Sequence, residues 1–237
     1  MASRKEQKEA LRREREERER QAQEQRRRKR LAGYGIGAAL ALAAVVVVVV
    51  MLVAGGDGDG GDAGAQVLPK GGKAPAAKVT DLKQAAGDAG CRLKSEKAKS
   101  RNHVRDPNRK VKYRTNPPSD GQHYAIPTED GAYSKAPPDS HLVHTLEHGR
   151  VIVWFKPSLP RPARANLKAL FDEDPYQMVL VPRTKMPFDV AASAWGRDPQ
   201  PLGTGFLMGC PRYGDEVFDA IRTFRDEHRS NGPEPVP

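Results

Sequence analysis

The 237-residue chain contains no P-loop, no GxSxG and no CxxC. The missing motifs are the phosphate-cradling loop of nucleotide enzymes, the nucleophile elbow of serine hydrolases and the paired thiols of disulfide exchange. There are no internal repeats, so a solenoid or propeller is excluded. Cysteine is scarce: Cys91 and Cys210 are the only two. The simplest expectation is one bridge, closing a loop of about 120 residues and stabilising by roughly 4–5 kcal/mol in the chain-entropy model. The other reading is two separate thiols.

Acidic charge is outweighed, and unevenly. Of a formal net charge of +10, a surplus of six comes from residues 1–30, which hold 13 Lys/Arg against 7 Glu. A basic pI can signal nucleic acid, but this charge abuts a segment that explains it better, and no nucleic-acid partner is expected. The 26 residues from Leu31 to Gly56 carry no charge. As a helix they reach about 39 Å, enough for a hydrocarbon core of about 30 Å. "RRRKR" precedes them and "GGDGDGGD" follows. The positive-inside rule therefore places the N-terminus in the cytoplasm and the rest of the chain outside. The expectation is a single-pass cell-membrane protein that contacts lipid through Leu31 to Gly56 and anionic headgroups through its basic tail. A cleaved signal peptide ending at "AGA" is the rival, against which its basic and apolar regions are too long. Gly33 and Gly37 form a GxxxG, a weak pointer to a homodimer. No protein partner can be named from the residues.

Four segments follow: a basic cytoplasmic tail at 1–30, a transmembrane helix at 31–56, a Gly/Ala/Pro linker at 57–78, and an extracytoplasmic globular domain at 79–237. The tail has i,i+4 Glu/Arg pairs but no apolar stripe, so it forms no core. In the domain, Thr80 is a candidate N-cap for a short helix ending at Gly87 or Gly90. Residues 92–112 are basic and polar, with Val104 and Val111 as strand markers. "RNHVRDPNRK" could meet anionic wall polymer or lipid headgroups, although a solvated face is the plainer reading. Residues 113–140 are dense in Pro, Gly, Asn and Asp, which predicts an ordered loop. A short helix capped by Asp139 or Ser140 and stopped by Gly149 follows. Then come a buried strand at 150–155, a helix at 161–174, strands at 176–182 and 188–195, and an amphipathic helix at 214–228. Trp154 and Trp195 sit in strand-like runs and read as core.

This order defines an α+β domain: a mixed sheet with helices, one βαβ unit plus an antiparallel extension. Thioredoxin-like folds share the order, with Pro187 standing where they keep a cis-proline. That likeness is one of fold alone, since the thiols are missing.

"HLVHTLEHGR" places His141, His144 and His148 on one helical face. His144 and His148 at i,i+4 can reach one metal ion. "HTLEH" also fits H-x-x-E-H, the inverted zincin pattern, in which Glu147 would be the catalytic base. That reading needs a third ligand, for which Asp172, Asp215 and Glu216 are candidates. The bland reading is a helix end whose histidines satisfy the macrodipole and nearby backbone groups.

"RTNPPSDGQHY", followed about 20 residues later by "LVHTLEHGRVIVWF", resembles the bacterial domain-of-unknown-function family 3105. The resemblance spans about residues 85–232. It pairs a Pro-Pro-x-x-Gly-x-His loop with a His-x-x-x-His-Gly helix end leading into an apolar strand. It implies a site of His123, His144 and His148, with Gly149 behind them, and leaves His141 out. The family admits glutamine where this chain has Glu147, which puts the zincin base in doubt. Asp120 and Gln122 depart from the family pattern without touching the histidines. Three imidazoles from two elements suit Zn2+ or Cu2+, with water, Glu147 or Met208 as a fourth ligand. Met208 lies two residues before Cys210, and a thioether would favour copper. The family has no assigned activity. The readings are then a metal-binding or metal-sensing domain, a structural or interaction module of the cell envelope without metal, or a zinc hydrolase.

Overall fold

The computed structural model describes residues 68–107 and 109–234. The basic tail, the apolar segment with its Gly33/Gly37 pair and residues 57–67 of the expected linker lie outside the described residues. Among those described, no helix is long and apolar enough to cross a membrane.

Among the described residues, four helices and eight strands follow one another in the order α1 (Leu82–Asp88), β1 (Arg92–Lys97), β2 (His103–Val104), β3 (His123–Tyr124), β4 (Gly131–Ala132), α2 (Asp139–Glu147), β5 (Val151–Phe155), α3 (Arg161–Glu173), β6 (Met178–Pro182), β7 (Val190–Gly196), β8 (Thr204–Cys210) and α4 (Glu216–His228). Six strands form one mixed sheet in the order β1-β8-β7-β5-β6-β4, while β2 and β3 pair separately. β5, β6 and β4 run parallel, and β7, β8 and β1 extend the sheet antiparallel. The βαβ unit is β5-α3-β6, and the domain is α+β as its pattern predicts.

β5 and β7 are buried along their whole length, so the sheet is covered on both faces. One face carries Val151, Val153, Ala192 and Met208 against Leu167 and Leu170 of α3 and Phe218, Ile221 and Phe224 of α4. The other carries Ile152, Trp154, Val179 and Trp195 against Leu142, Val143 and Leu146 of α2. Each such large apolar side chain, once buried, stabilises by about 1.5–3 kcal/mol. The indole of Trp154 donates to Ser193 Oγ at 2.9 Å, so its one polar atom is satisfied inside the core.

Several local expectations change. The N-cap of α1 is Asp81, whose carboxylate accepts from Gln84 N at 2.7 Å, not Thr80. α2 begins after Pro138 without a side-chain cap, because Asp139 is turned to Arg183 in a bidentate pair at 2.7 and 3.1 Å. The cis peptide bonds among the described residues precede Pro117, Pro199 and Pro201, not Pro187. Packed chain begins earlier than Val79: Leu68 is buried, Lys73 N donates to Asn166 Oδ1 and Arg222 Nη2 donates to Pro75 O. Val104 lies in a strand and Val111 does not. β1 and β8 had no clear signature. β1 is a polar edge strand, and β8 carries glycine where a side chain cannot fit: a Cβ at Gly205 would strike the Asp120 carboxylate.

Cys91 and Cys210 form the expected disulfide, with Cα atoms 4.1 Å apart. Arg92 and Gly209 are register partners, so the bridge continues the β1–β8 ladder by one step. Replacing both cysteines by serine should cost about 4–5 kcal/mol in urea unfolding, as expected for a crosslink spanning so long a loop. A loss under about 1 kcal/mol would show that the sheet holds this edge unaided.

Candidate metal centre

Three short elements meet on the α2 side of the sheet. β2 and β3 pair in parallel with His103 opposite His123. The loop before β3 docks through Ser119 and Asp120, both buried against Gly205 of β8. Asp120, the departure from the family pattern, is held there by Arg114 Nη2 at 2.9 Å and Ser119 Oγ at 3.1 Å. α2 brings His144 and Glu147 one turn apart, and Thr145 ties the helix to the preceding loop by accepting from Thr128 N and donating to Thr128 O. Gly149 ends the helix at φ +82°, where a Cβ would also lie 2.9 Å from Gly232 N.

Each ring is oriented from behind. His123 Nδ1 donates to Gly121 O at 2.8 Å and His144 Nδ1 donates to Tyr124 O at 2.7 Å. A carbonyl can only accept, so a neutral imidazole in either place must leave its Nε2 lone pair free. Both Nε2 atoms face one carboxylate oxygen: Glu147 Oε2 is 3.0 Å from His123 Nε2 and 4.0 Å from His144 Nε2. Glu147 and His123 are 1% and 0% exposed. His123 Nε2 and Glu147 Oε2 nevertheless lack a hydrogen bond of acceptable geometry. Two buried lone-pair donors that face one another need a cation between them, either a proton or a metal ion. His103 adds a fourth group from the exposed side, with its ring 4.8 Å from that of His123 and 5.0 Å from that of His144.

One donor atom from each of His103, His123, His144 and Glu147 lies within 4.8 Å of the others. A tetrahedral zinc with bonds of about 2.0–2.1 Å needs donors about 3.3 Å apart, so small side-chain rotations would close the group. The other oxygen of Glu147 is fixed by Arg101 Nε at 2.6 Å. Backbone carbonyls behind the imidazoles and a charged group behind the carboxylate form the supporting shell that metal ligands require.

Burial alone would raise the Glu147 carboxyl, but the approach of His123 and the bond from Arg101 outweigh it and hold the group well below the usual carboxylate range. A carboxylate held so low is ionised, as a metal ligand must be. Burial is also the main reason that His144 is pushed down to about 4; His123 and His148 act in the same direction, against the Tyr124 carbonyl and Glu147.

Of the residues expected from sequence, His123, His144 and Glu147 come together. The His148 ring lies 4.5 Å from that of His144, tilted by 36°, but its Nδ1 donates to Glu234 O and it lies outside the group of four. Met208 points to the opposite face of the sheet, among Ala192 and the α4 side chains, because β-strand side chains alternate. Asp172, Asp215 and Glu216 belong to α3 and the start of α4, also on that face. His141 rests on the Tyr124 ring instead. His103 was missed, since nothing in its spacing from His123 announces a two-residue parallel bridge.

Loop, helix end and apolar strand are thus assembled around one buried carboxylate, in a domain whose class is a histidine/glutamate-lined α+β fold. Residues 103–201 match the family model described as "Protein of unknown function (DUF3105)", so the chain carries a domain of that family. The match begins at His103. No curated protein and no solved structure matches the chain.

Acid should weaken the metal-free domain in a defined window. His144 and His228 are both pushed by burial to about 4 from 6.5, so the unfolded chain takes up protons first as pH falls. The urea midpoint should be level above pH 6.5, fall from 6.5 to 4, and fall further below 4.5 as Glu147 is protonated. His228, packed on Phe206 and Phe224 away from the centre, gives the control: His228→Leu should flatten part of the upper slope. An unchanged slope would refute the assignment.

Proposed function

We propose that this chain is a membrane-anchored protein whose extracytoplasmic domain binds one Zn2+ or Cu2+ through His103, His123, His144 and Glu147. The observation that carries the reading is the buried, unbonded approach of His123 Nε2 to Glu147 Oε2 at 3.0 Å. Imidazole and carboxylate donors suit both ions. With Met208 turned away, no thioether favours copper. His103 is the exposed member of the set, so a metal would enter from its side. A disulfide in the same domain supports an oxidising compartment, and the uncharged segment from Leu31 to Gly56 with its basic flank supports an anchor. The order β8-β7-β5-β6, with a helical crossover between the parallel strands and α4 after the hairpin, supports a thioredoxin-like scaffold. In this chain that scaffold would carry a metal centre and not a dithiol.

Purified full chain, stripped and reconstituted, should hold one equivalent of zinc or copper by elemental analysis. His123→Ala and His144→Ala should abolish that binding, and His148→Ala should keep it. Arg101→Gln should weaken affinity by roughly 10–100-fold, as loss of a supporting group does. If wild-type chain takes up no transition metal, the cluster is a protonated His123–Glu147–Arg101 network and the domain is a structural module of the envelope.

A further inference from the structure

A concave basic surface lies on the other side of the turn that holds His123. A cleft of about 340 Å³ is walled by Lys99, Arg109, Lys110, Lys112 and Arg114, and the one carboxylate in its lining is Asp120. That carboxylate is buried and already bound by Arg114 and Ser119. Arg114 is itself a strut, donating also to Lys97 O at 2.8 Å and lying 3.0 Å from Glu96 Oε2. Lys99, Arg109, Lys110 and Lys112 are exposed around the opening. Tyr113 forms the floor, its hydroxyl donating to Gln122 O at 2.9 Å. A second hollow of about 440 Å³ shares Arg109, Lys110, Val111 and Tyr113 with the first and is closed by Pro138, Asp139 and Ser140, the Asp139 carboxylate being held by Arg183. Glu96, which Arg114 reaches, is also engaged by Lys94 and feels Lys99.

Like charges gathered around a concavity repel one another and focus a positive potential into it. The arrangement favours a multivalent anion over a single charge, because Lys99, Arg109, Lys110 and Lys112 are spread around the opening. It favours phosphate chemistry because guanidinium and ammonium groups together match tetrahedral oxyanions. We propose that this cleft binds a phosphate-rich anion bearing at least two phosphate groups, adjacent to the metal centre but independent of it.

The test is tripolyphosphate titrated into metal-free full chain, read by the backbone amide resonances of Gly121 and Gln122. Those two amides report the cleft separately from the basic tail. They should shift in a saturable way that salt weakens. Lys110→Glu with Lys112→Glu should lower the affinity by roughly tenfold or more, the loss of about one charge-assisted hydrogen bond, while zinc or copper stoichiometry stays as in wild type. Glycerol phosphate, carrying the single phosphate of a lipid headgroup, should bind far more weakly. Unmoved amides, an affinity unchanged in the double variant, or equal affinity for glycerol phosphate would each overturn the proposal. So would shifts seen only in metal-loaded chain, which would put the anion on the metal.

Discussion

A carboxylate taken out of water dictates the arrangement of this domain. Glu147 sits at the C-terminal turn of α2, where the helix dipole already disfavours negative charge, and it is almost wholly inaccessible. Desolvating an anion there costs several kcal/mol unless it is compensated. Compensation comes from Arg101 on one oxygen and from histidines converging on the other. The loop carrying Arg101, the β2–β3 bridge and the last turn of α2 all converge on this one group. The two sheet faces divide the labour accordingly: α1, α3 and α4 supply apolar mass on one, and the polar centre is embedded on the other beside Trp195.

Much of the scaffold was legible in the residues. The apolar runs of β5 and β6, the amphipathic spacing of α3 and α4, and Gly149 as a helix stop follow from short-range rules that the structure obeys. β8 escaped because its glycines serve contacts with the 119–120 loop and with Phe188, which only the fold reveals. β1 escaped because an edge strand exposed on both faces has no reason to alternate.

The centre was legible in part and for different reasons. His144 and Glu147 lie on one helix, where periodicity places them, and His123 came from the resemblance of the paired motifs. Helical spacing also promoted His148, because i,i+4 describes proximity along a helix and says nothing about a helix that ends at that residue, where His148 is the C-cap. Sequence distance to Cys210 promoted Met208, yet a two-residue step along a strand keeps Met208 on the face of Cys210, which is turned away from the centre. His103 entered through a parallel pairing twenty residues long in closure and two residues long in contact, which leaves no periodic trace.

The segment after α4 crosses back to the end of α2. Ser230 N donates to Gly149 O at 2.8 Å, Glu234 N donates to Glu147 O at 3.1 Å, and His148 Nδ1 donates to Glu234 O at 2.9 Å across 86 residues of sequence. Synthesis runs from the N-terminus, so α2, β3 and Arg101 all emerge before the strand of chain that fastens them. The end of α2 therefore takes part of its anchorage from the far end of the domain, and the helix turn that carries Glu147 has its full set of contacts only when residues through Glu234 are in place.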